Sequence, residues 1–134
     1  MLNDALLGPV RRHGILVADD DPDVRDAMDG GLRRLGFSVW LAADGQEAVD
    51  LYRNHHRVID AALLDVCMPV LDGPHAFAAI RELSPQIRCC FMTGYLDGYT
   101  EQGLRHLGAD AVFAKPFRLS EVAQVLRTIA RPAA

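Results

Sequence analysis

The feature that most constrains the fold is a regular alternation between short apolar runs and longer segments with helical periodicity. The five runs are Ile15–Ala18, Phe37–Leu41, Ala61–Leu64, Cys89–Met92 and Ala111–Ala114. Short apolar runs without strict polar alternation are typical of strands that are buried on both faces of a parallel sheet. Strands that alternate with helices build one such sheet, because each connecting helix packs back onto a face of it. The pattern therefore predicts an α/β domain with a five-stranded parallel sheet and helices on both faces.

The segments between the runs carry apolar residues at helical spacing. Three of these stripes are Val24, Met28, Leu32 and Leu35; Ala76, Phe77, Ile80 and Leu83; and Val122, Val125, Leu126 and Ile129. Helix-starting and helix-ending residues flank them in the expected order, since Asp favours N-caps and Gly favours C-terminal ends. On this basis Asp21, Asp44, Asp72 and Asp97 are predicted to begin helices, and Gly36 to end the first one. The fourth helix, near Asp97–Leu107, has a thin apolar stripe and contains Gly103, so we expect it to be the most mobile element.

The charged residues are unusual in type rather than in number. Fourteen of the 18 acids are Asp, and 13 of the 14 bases are Arg, so Lys115 is the only lysine. Asp favours caps, turns and sites for hard metal ions, whereas Glu and Lys are the ordinary residues of an exposed helix surface. A formal net charge of −4 and the lack of a basic stripe argue against direct binding of nucleic acid.

Chemically active residues follow four of the five predicted strands. Asp19 and Asp20 follow the first, Asp65 ends the third, Thr93 ends the fourth and Lys115 ends the fifth. Ligands of open α/β sheets bind at the carboxyl ends of the strands, so these side chains are expected to converge. Clustered carboxylates suit a divalent cation such as Mg²⁺, and Lys and Thr suit the oxygens of a phosphoryl group. An Asp carboxylate can act as a nucleophile, so the site predicts metal-assisted phosphoryl transfer onto Asp65.

Four segments together carry a resemblance to a known family: ILVADDDPDVRDAM, ALLDVCMPVLDG, FMTGY and GADAVFAKPF. In this order and spacing the chain resembles the receiver domain of two-component response regulators, from about Ile15 to Ala130. The resemblance implies a doubly wound, flavodoxin-like sheet of strand order 2-1-3-4-5 with five helices. It places the receiver domain at residues 14–131, with tails at residues 1–13 and 132–134.

The resemblance also implies a role for each site residue. Asp65 would accept the phosphoryl group, Thr93 would bind its oxygen and Lys115 would pair with it. Magnesium would be held by Asp65, by Asp20 directly, by Asp19 mainly through water, and by the backbone carbonyl of Cys67. The Lys115–Pro116 peptide bond would be cis.

Three positions depart from the family pattern. Val112 stands where the family commonly has a Tyr or Phe that swings inward on phosphorylation, and Phe113 points to the other face of its strand. We therefore expect output to run through Thr93 and the fourth helix without an aromatic rotamer switch. Val70 replaces the usual Gly and is expected to stiffen or reshape the loop after Asp65. Tyr95 is large enough to shield the acyl phosphate from water, which predicts slower self-hydrolysis than in a Tyr95→Ala variant.

The leading interpretation is a signalling receiver that takes phosphate from a histidine kinase or a histidine phosphotransfer protein and then switches contacts with a downstream protein. Its only activities would be self-phosphorylation and autodephosphorylation. An alternative is a receiver-like interaction module that works without phosphorylation, and another is a fragment of a longer DNA-binding or enzymatic regulator. A phosphatase of the haloacid-dehalogenase type is disfavoured, because Cys67 stands where that family needs a second Asp. A homodimer formed on phosphorylation stays open.

The expected cellular location is inferred from three kinds of feature that the sequence lacks. The three cysteines have no metal-type spacing, which fits a reducing cytoplasm. The first residues lack the order of a secretory signal, and no apolar run approaches the roughly 18 residues that a membrane span needs. A cytoplasmic protein without a membrane partner is therefore expected.

Overall fold

Five parallel strands form the centre of the computed structural model, which describes residues 11–94, 96 and 98–130. The strands are β1 Gly14–Ala18, β2 Ser38–Ala42, β3 Ala61–Asp65, β4 Arg88–Thr93 and β5 Ala111–Ala114. They lie in the order β2-β1-β3-β4-β5, and every neighbouring pair is parallel. The predicted sheet and its strand order are therefore confirmed.

Five helices connect or follow the strands. They are α1 Pro22–Arg34, α2 Gly45–His55, α3 Gly73–Leu83, α4 Glu101–His106 and α5 Leu119–Ile129. Asp21, Asp44 and Asp72 cap the first three, each accepting a hydrogen bond from a backbone N–H of the first turn. Gly36, with a φ of 100°, follows the end of α1 in the left-handed region that Gly tolerates. These four local predictions are confirmed.

The sheet separates two apolar cores. One core lies between the sheet and α2, α3 and α4, where Tyr52, Phe77 and Leu104 are buried. The other lies between the sheet and α1 and α5, where Leu32 and Leu126 are fully buried. Removing this apolar surface from water on both faces is the main source of stability in such a fold. Because both faces are covered, the carboxyl edge of the strands is left as the open place for a polar site.

The fourth helix differs from its prediction. The expected range was Asp97–Leu107, but α4 covers only Glu101–His106, and Thr100 is its cap. The Thr100 hydroxyl accepts a hydrogen bond from the N–H of Gly103 at 2.9 Å. Asp97, which was predicted to begin this helix, lies outside the described residues. The thin apolar stripe explains the short helix, since Leu104 is its only buried residue.

Two residues of the predicted apolar stripes are not in the core. Leu35 is 39% exposed and Leu83 is 44% exposed. Leu35 follows the last residue of α1, and Leu83 is the last residue of α3. Helical spacing continues in the sequence up to these positions, but the chain there has already begun to leave the surface of the sheet.

The segment before β1 is tied to the body of the domain through Asp60. The carboxylate of Asp60 accepts two hydrogen bonds of 2.7 Å from the Arg11 guanidinium and one of 2.8 Å from the N–H of Gly14. Burial raises the pKa of Asp60, but the hydrogen bonds from Arg11 and Gly14 outweigh it, so the pKa lies below its ordinary value of 3.8. The ionised form is therefore favoured by folding.

An Asp60→Asn variant should lose about 2 kcal/mol of unfolding free energy at neutral pH, because hydrogen bonds to a charged group are lost. The folded-state pKa is depressed, so the contribution of Asp60 is complete above the unfolded value and disappears as the pH falls through the folded value. Urea unfolding at several pH values measures it. The deficit of Asp60→Asn, relative to the exposed-site control Asp26→Asn, should shrink below about pH 4. A deficit that stayed constant down to pH 3 would contradict this account.

Within the described residues, no helix is both long enough and apolar enough to cross a membrane.

Candidate functional site

The predicted site residues meet at the carboxyl edge of the sheet. Asp19 and Asp20 directly follow β1, Asp65 is the last residue of β3, Thr93 is the last residue of β4, and Lys115 follows β5. Asp19 is completely buried, Asp65 is 6% exposed and Thr93 is 8% exposed. Parallel neighbours end at the same edge, so the topology brings together residues that are up to 96 positions apart in the chain.

The three carboxylates lie around one point. One oxygen of each of Asp19, Asp20 and Asp65 lies within 4.8 Å of the corresponding oxygens of the other two. The Lys115 Nζ is 2.6 Å from Asp19 Oδ2 and 3.3 Å from Asp65 Oδ2. One ammonium group thus faces three carboxylates, which leaves an excess of negative charge. Oxygen donors at this density are the set that a hard divalent cation takes.

Burial and charge shift the acid–base behaviour of the site. Burial of Asp65, followed by the negative charge of Asp19, raises the pKa of Asp65 to about 6, although Lys115 opposes the shift. Burial lowers the pKa of Lys115, but its bonds to Asp19 and Asp65 more than compensate, so the pKa lies above its ordinary value. At neutral pH the ammonium form of Lys115 is therefore stable, and the Asp65 carboxylate is more basic than an exposed one.

Local contacts keep Asp19 in its buried position. Its Oδ1 accepts a hydrogen bond of 2.9 Å from the N–H of Asp21, and its backbone carbonyl accepts one of 2.9 Å from the Arg25 side chain. Asp21 itself is the cap of α1, as predicted, rather than a member of the carboxylate cluster. A buried charge is costly unless it is paired and hydrogen-bonded, and Asp19 is both.

The Thr93 hydroxyl has no partner. Among the described residues, its Oγ1 is the single buried side-chain oxygen or nitrogen without a hydrogen bond. The backbone carbonyl of Thr93 accepts from the N–H of Lys115 at 2.8 Å, so the end of β4 is fixed beside Lys115. An orphaned buried hydroxyl costs on the order of 1–3 kcal/mol, which calls for an explanation in function. A group with acceptor oxygens on Asp65 would supply the missing partner.

The loop after Asp65 forms the other wall of the site. An open cavity of about 320 Å³ is lined by Asp20, Cys67, Met68, Pro69 and Asp72. Cys67 is partly buried and lines this cavity together with Asp20; its backbone carbonyl as a metal ligand stays a prediction.

Val70 is the exposed tip of this loop. It is 79% exposed and has a φ of 70°, the single positive φ of a non-glycine residue in the described chain. The N–H of Leu71 donates to the carbonyl of Pro69 at 2.7 Å and closes a three-residue turn around Val70. A β-branched residue costs about 1–2 kcal/mol in this backbone region. Val70 therefore holds a backbone conformation that Gly would adopt without this cost; its effect on the stiffness or shape of the loop stays a prediction.

Gly73 allows α3 to begin directly against the end of β3. A Cβ atom at this position would lie 2.2 Å from the backbone oxygen of Asp65. We therefore expect Gly73→Ala to lower the free energy of unfolding by about 2–3 kcal/mol, the cost of overpacking a rigid contact.

A second glycine provides the control for this prediction. A Cβ atom on Gly30 in α1 would have no atom within 4 Å, so Gly30→Ala should raise the free energy of unfolding by about 0.5–1 kcal/mol. Urea denaturation of both variants tests the pair. Equal effects of the two substitutions would show that the contact with Asp65 is not a constraint.

One network at the site was not predicted. The Tyr99 hydroxyl donates to Asp72 Oδ2 at 2.8 Å, and Asp72 Oδ1 is 2.6 Å from His75 Nδ1. Burial raises the pKa of Asp72, but hydrogen bonds from His75 and Tyr99 reverse the shift and lower it. Asp72 was predicted only as a helix cap, and Tyr99 is 27 positions away. No periodicity or motif in the sequence links these residues.

Two predictions around β5, the orientation of Phe113 and the cis bond after Lys115, are confirmed, whereas the route of the output stays a prediction. Val112 packs against the core that contains α4, while Phe113 packs against the opposite core, so Phe113 does not replace an aromatic residue at 112. On the neighbouring strand β4, Cys89 and Cys90 also face opposite cores. The Lys115–Pro116 bond is cis. Tyr95 lies outside the described residues, and its effect on hydrolysis stays a prediction.

Comparison with protein families gives one match that spans most of the chain. Residues 15–127 match the model of the response regulator receiver domain. The response regulator MprA of Mycobacterium sp. (strain KMS) is 40% identical over 125 residues, which cover 92% of this chain and 51% of the relative. The transcriptional regulatory protein PrrA of Mycobacterium tuberculosis is 34% identical over 117 residues, which cover 87% and 49%. The chain thus spans about half the length of these curated relatives.

Solved structures agree with the sequence match. CheY of Borrelia burgdorferi, in a complex with CheX, BeF₃ and Mg²⁺, superposes with a TM-score of 0.80 and 28% identity, covering 88% of this chain and 90% of that one. A Burkholderia pseudomallei response regulator with a phosphorylated aspartic acid and a calcium ion has a TM-score of 0.75 and 27% identity, covering 87% and 68%. The sheet order, the carboxylate cluster beside Lys115 and the family match all agree. The chain therefore belongs to the response regulator receiver domain family, whose members are phosphoacceptor regulatory modules rather than classical enzymes.

Proposed function

We propose that this chain receives a phosphoryl group on Asp65 and uses it to change its contacts with a downstream protein. The observation that carries the proposal is the arrangement around Asp65. This carboxylate has a raised pKa, lies 3.3 Å from an ammonium group and belongs to a cluster with two further carboxylates. The orphaned hydroxyl of Thr93 ends the neighbouring strand. Phosphoryl transfer needs a nucleophile, a cation and a hydrogen-bond donor for the phosphoryl oxygens, and Asp65, Lys115 and Thr93 can supply these three groups.

Magnesium fits this set of side chains. Three carboxylates with one ammonium group leave negative charge that a divalent cation would neutralise, and Mg²⁺ typically binds one or two carboxylates and keeps several waters. In the proposal Asp20 and Asp65 bind it directly, Asp19 binds mainly through water, and the backbone carbonyl of Cys67 completes the protein ligands. When bound, the ion would neutralise charge on the oxygens of the transferred group.

The transfer itself exchanges one bond to phosphorus for another. A carboxylate oxygen of Asp65 forms a bond to phosphorus, the bond from phosphorus to the donor breaks, and the donor keeps that electron pair. The product is an acyl phosphate on Asp65. Lys115 is placed to pair with one phosphoryl oxygen, and Thr93 to donate its hydroxyl to another.

The donor in this proposal is a histidine kinase or a histidine phosphotransfer protein. Asp65 ends β3 beside Asp20, which lines an open cavity, and we propose that a phosphohistidine side chain approaches from this side. The structural relative from Borrelia burgdorferi forms a complex with CheX, and we propose that this chain likewise acts through protein contacts. We further propose that phosphorylation switches contacts with a downstream protein or with a second copy of the chain, and that the chain works in the cytoplasm.

Acetyl phosphate tests the function without a cognate kinase. Incubation of the protein with acetyl phosphate and Mg²⁺ should add the mass of one phosphoryl group, and the adduct should be lost on treatment with hydroxylamine, which cleaves acyl phosphates. Omission of Mg²⁺, with a chelator present, should suppress the adduct. A protein that gains no adduct in Mg²⁺ would support the alternative of an interaction module that works without phosphorylation.

A further inference from the structure

A hydrogen-bonded network joins the start of α3 to the chain that leads into α4. The Tyr99 hydroxyl donates to Asp72 Oδ2 at 2.8 Å. The other oxygen of Asp72 accepts the N–H of His75 at 2.9 Å and lies 2.6 Å from the His75 ring nitrogen. Each Asp72 oxygen therefore serves a different element, one the helix that it caps and the other the segment that follows β4.

Asp72 is the member of this network that is held in a fixed position. It caps an eleven-residue helix whose first residue, Gly73, is wedged against the backbone of Asp65. The N–H of Gly73 also donates to the carbonyl of Val66 at 3.0 Å. Asp72 lines the same cavity as Asp20 and Cys67. Its position is thus coupled directly to the backbone of the phosphoacceptor.

Tyr99 is the member of this network that precedes a mobile element. It follows Thr93 by six residues, and Gly94 and Gly98 both lie between them, the second with a φ of 86°. The helix that Tyr99 precedes has only six residues and one buried side chain. A helix this short, with one buried side chain, loses little packing when it shifts, so α4 can move at low cost.

We propose that Tyr99 is a positioning residue: its hydrogen bond to Asp72 holds the start of α4 in the position that it has in the unphosphorylated protein. The inference rests on the proposed function at Asp65. The Thr93 hydroxyl has no hydrogen-bond partner among the residues that the structure describes. Phosphorylation adds acceptor oxygens at Asp65. When the Thr93 hydroxyl turns towards them, Tyr99 moves relative to Asp72. The Tyr99–Asp72 hydrogen bond then breaks.

Tyr99 lies on the side of the sheet where the family pattern would have an aromatic residue at position 112. Val112, Leu96 and Tyr99 pack against the same core, which includes Leu104 of α4. Val112 has no polar atom and cannot report on the site by a hydrogen bond. Tyr99 has both an apolar ring on this core and a hydroxyl bonded beside the acidic cavity.

The direction of the effect follows from linkage. An interaction that exists only in the unphosphorylated state opposes phosphorylation by its own free energy, so its removal favours the phosphorylated state by the same amount. A single hydrogen bond of ordinary strength corresponds to a change of about three- to tenfold in affinity. Tyr99→Phe, which removes only the hydroxyl, should lower the Kd for beryllofluoride by about that factor.

Fluorine NMR titration with beryllofluoride at saturating Mg²⁺ measures this Kd. The matched control is Tyr52→Phe, since Tyr52 packs in the same core from α2 but has no contact with the site. Its Kd should equal that of the wild type. The Tyr99 hydroxyl also lies 3.5 Å from His75 Nδ1. In an Asp72→Ser background, which keeps a capping hydroxyl but is too short to reach Tyr99, the effect of Tyr99→Phe should therefore fall well below its effect in the wild type.

Each outcome has one meaning. An unchanged or raised Kd in Tyr99→Phe, an equal decrease in Tyr52→Phe, or a full effect of Tyr99→Phe in the Asp72→Ser background would overturn the inference. A merely structural role of Tyr99 would lower the urea midpoint and leave the Kd unchanged. If the wild type binds no beryllofluoride, the proposed function itself is wrong and the inference falls with it.

Discussion

Replacement of Asp65 by Asn is expected to abolish phosphorylation by acetyl phosphate completely. In the proposal the nucleophile is a carboxylate oxygen of Asp65, which lies 3.3 Å from the Lys115 ammonium and in one cluster with Asp19 and Asp20. An amide cannot form the acyl phosphate, and its loss of charge also weakens the cation site. Intact-mass measurement after incubation with acetyl phosphate and Mg²⁺ gives the result directly.

The Asn variant should fold at least as well as the wild type. Burial and Asp19 raise the pKa of Asp65 from its ordinary 3.8 to about 6, so its carboxylate form is disfavoured by folding. Since the folded pKa exceeds the unfolded one, the wild type loses stability as the pH rises from about 4 to 6, and Asp65→Asn does not. Without divalent ions at pH 8 the variant should therefore be the more stable protein.

The matched control is Asp44→Asn, which changes a half-buried helix cap outside the carboxylate cluster into another good cap. This variant should be phosphorylated like the wild type. A phosphoryl group that persists in the folded Asp65→Asn protein would show that the acceptor is another residue.

Replacement of Lys115 by Met should destabilise the protein by about 3 kcal/mol at pH 7.5 in a chelator. Its ammonium is the cation that lies 2.6 Å from the completely buried carboxylate of Asp19. Removal of one member of a buried ion pair leaves an uncompensated charge, which is among the larger effects of a point substitution. Phosphorylation by acetyl phosphate should fall strongly as well, since no ammonium would meet the phosphoryl oxygen.

Two conditions should restore stability to the Lys115→Met variant. Mg²⁺ should do so because a cation that binds only the folded cluster stabilises the folded state by mass action. Acid should do so because Lys115 lowers the pKa of Asp65; without Lys115 that pKa rises further, and protonation removes one of the three repelling charges. The deficit should therefore be greatest at high pH and shrink towards pH 5.

The control for charge alone is Arg57→Met, which removes an exposed cation outside the site. Urea unfolding in chelator should find Arg57→Met close to the wild type. Equal stability of Lys115→Met and the wild type would mean that the three carboxylates do not depend on the ammonium group.

Much of the fold was predictable because its causes are local. Apolar runs such as Ala61–Leu64 lie on strands that are buried on both faces, and the residues that begin helices, such as Asp44, act through hydrogen bonds within one turn. The predictions of helix length and burial fail where the local sequence pattern and the tertiary packing favour different structures. The fourth helix is shorter than its pattern because only Leu104 reaches the core, and Leu83 continues a stripe that no longer faces the sheet.

The identity of the candidate site residues was predictable for a topological reason. In a parallel sheet every strand ends at the same edge, so residues that follow the strands converge whatever their distance in the chain. Asp20, Asp65 and Lys115 could therefore be placed together before any coordinates. Their roles in catalysis stay predictions until the substitutions are made.

By itself, the sequence determined the class of fold, the edge at which chemistry is concentrated and the helix caps, because periodicity, strand ends and capping are short-range properties. Only the tertiary structure decided which hydroxyl lacks a partner and which side chains meet across loops. The orphaned Thr93 and the Tyr99–Asp72 hydrogen bond are of this kind. Both depend on how separate elements pack against one another, and packing is a property of the whole chain that no segment of it encodes alone.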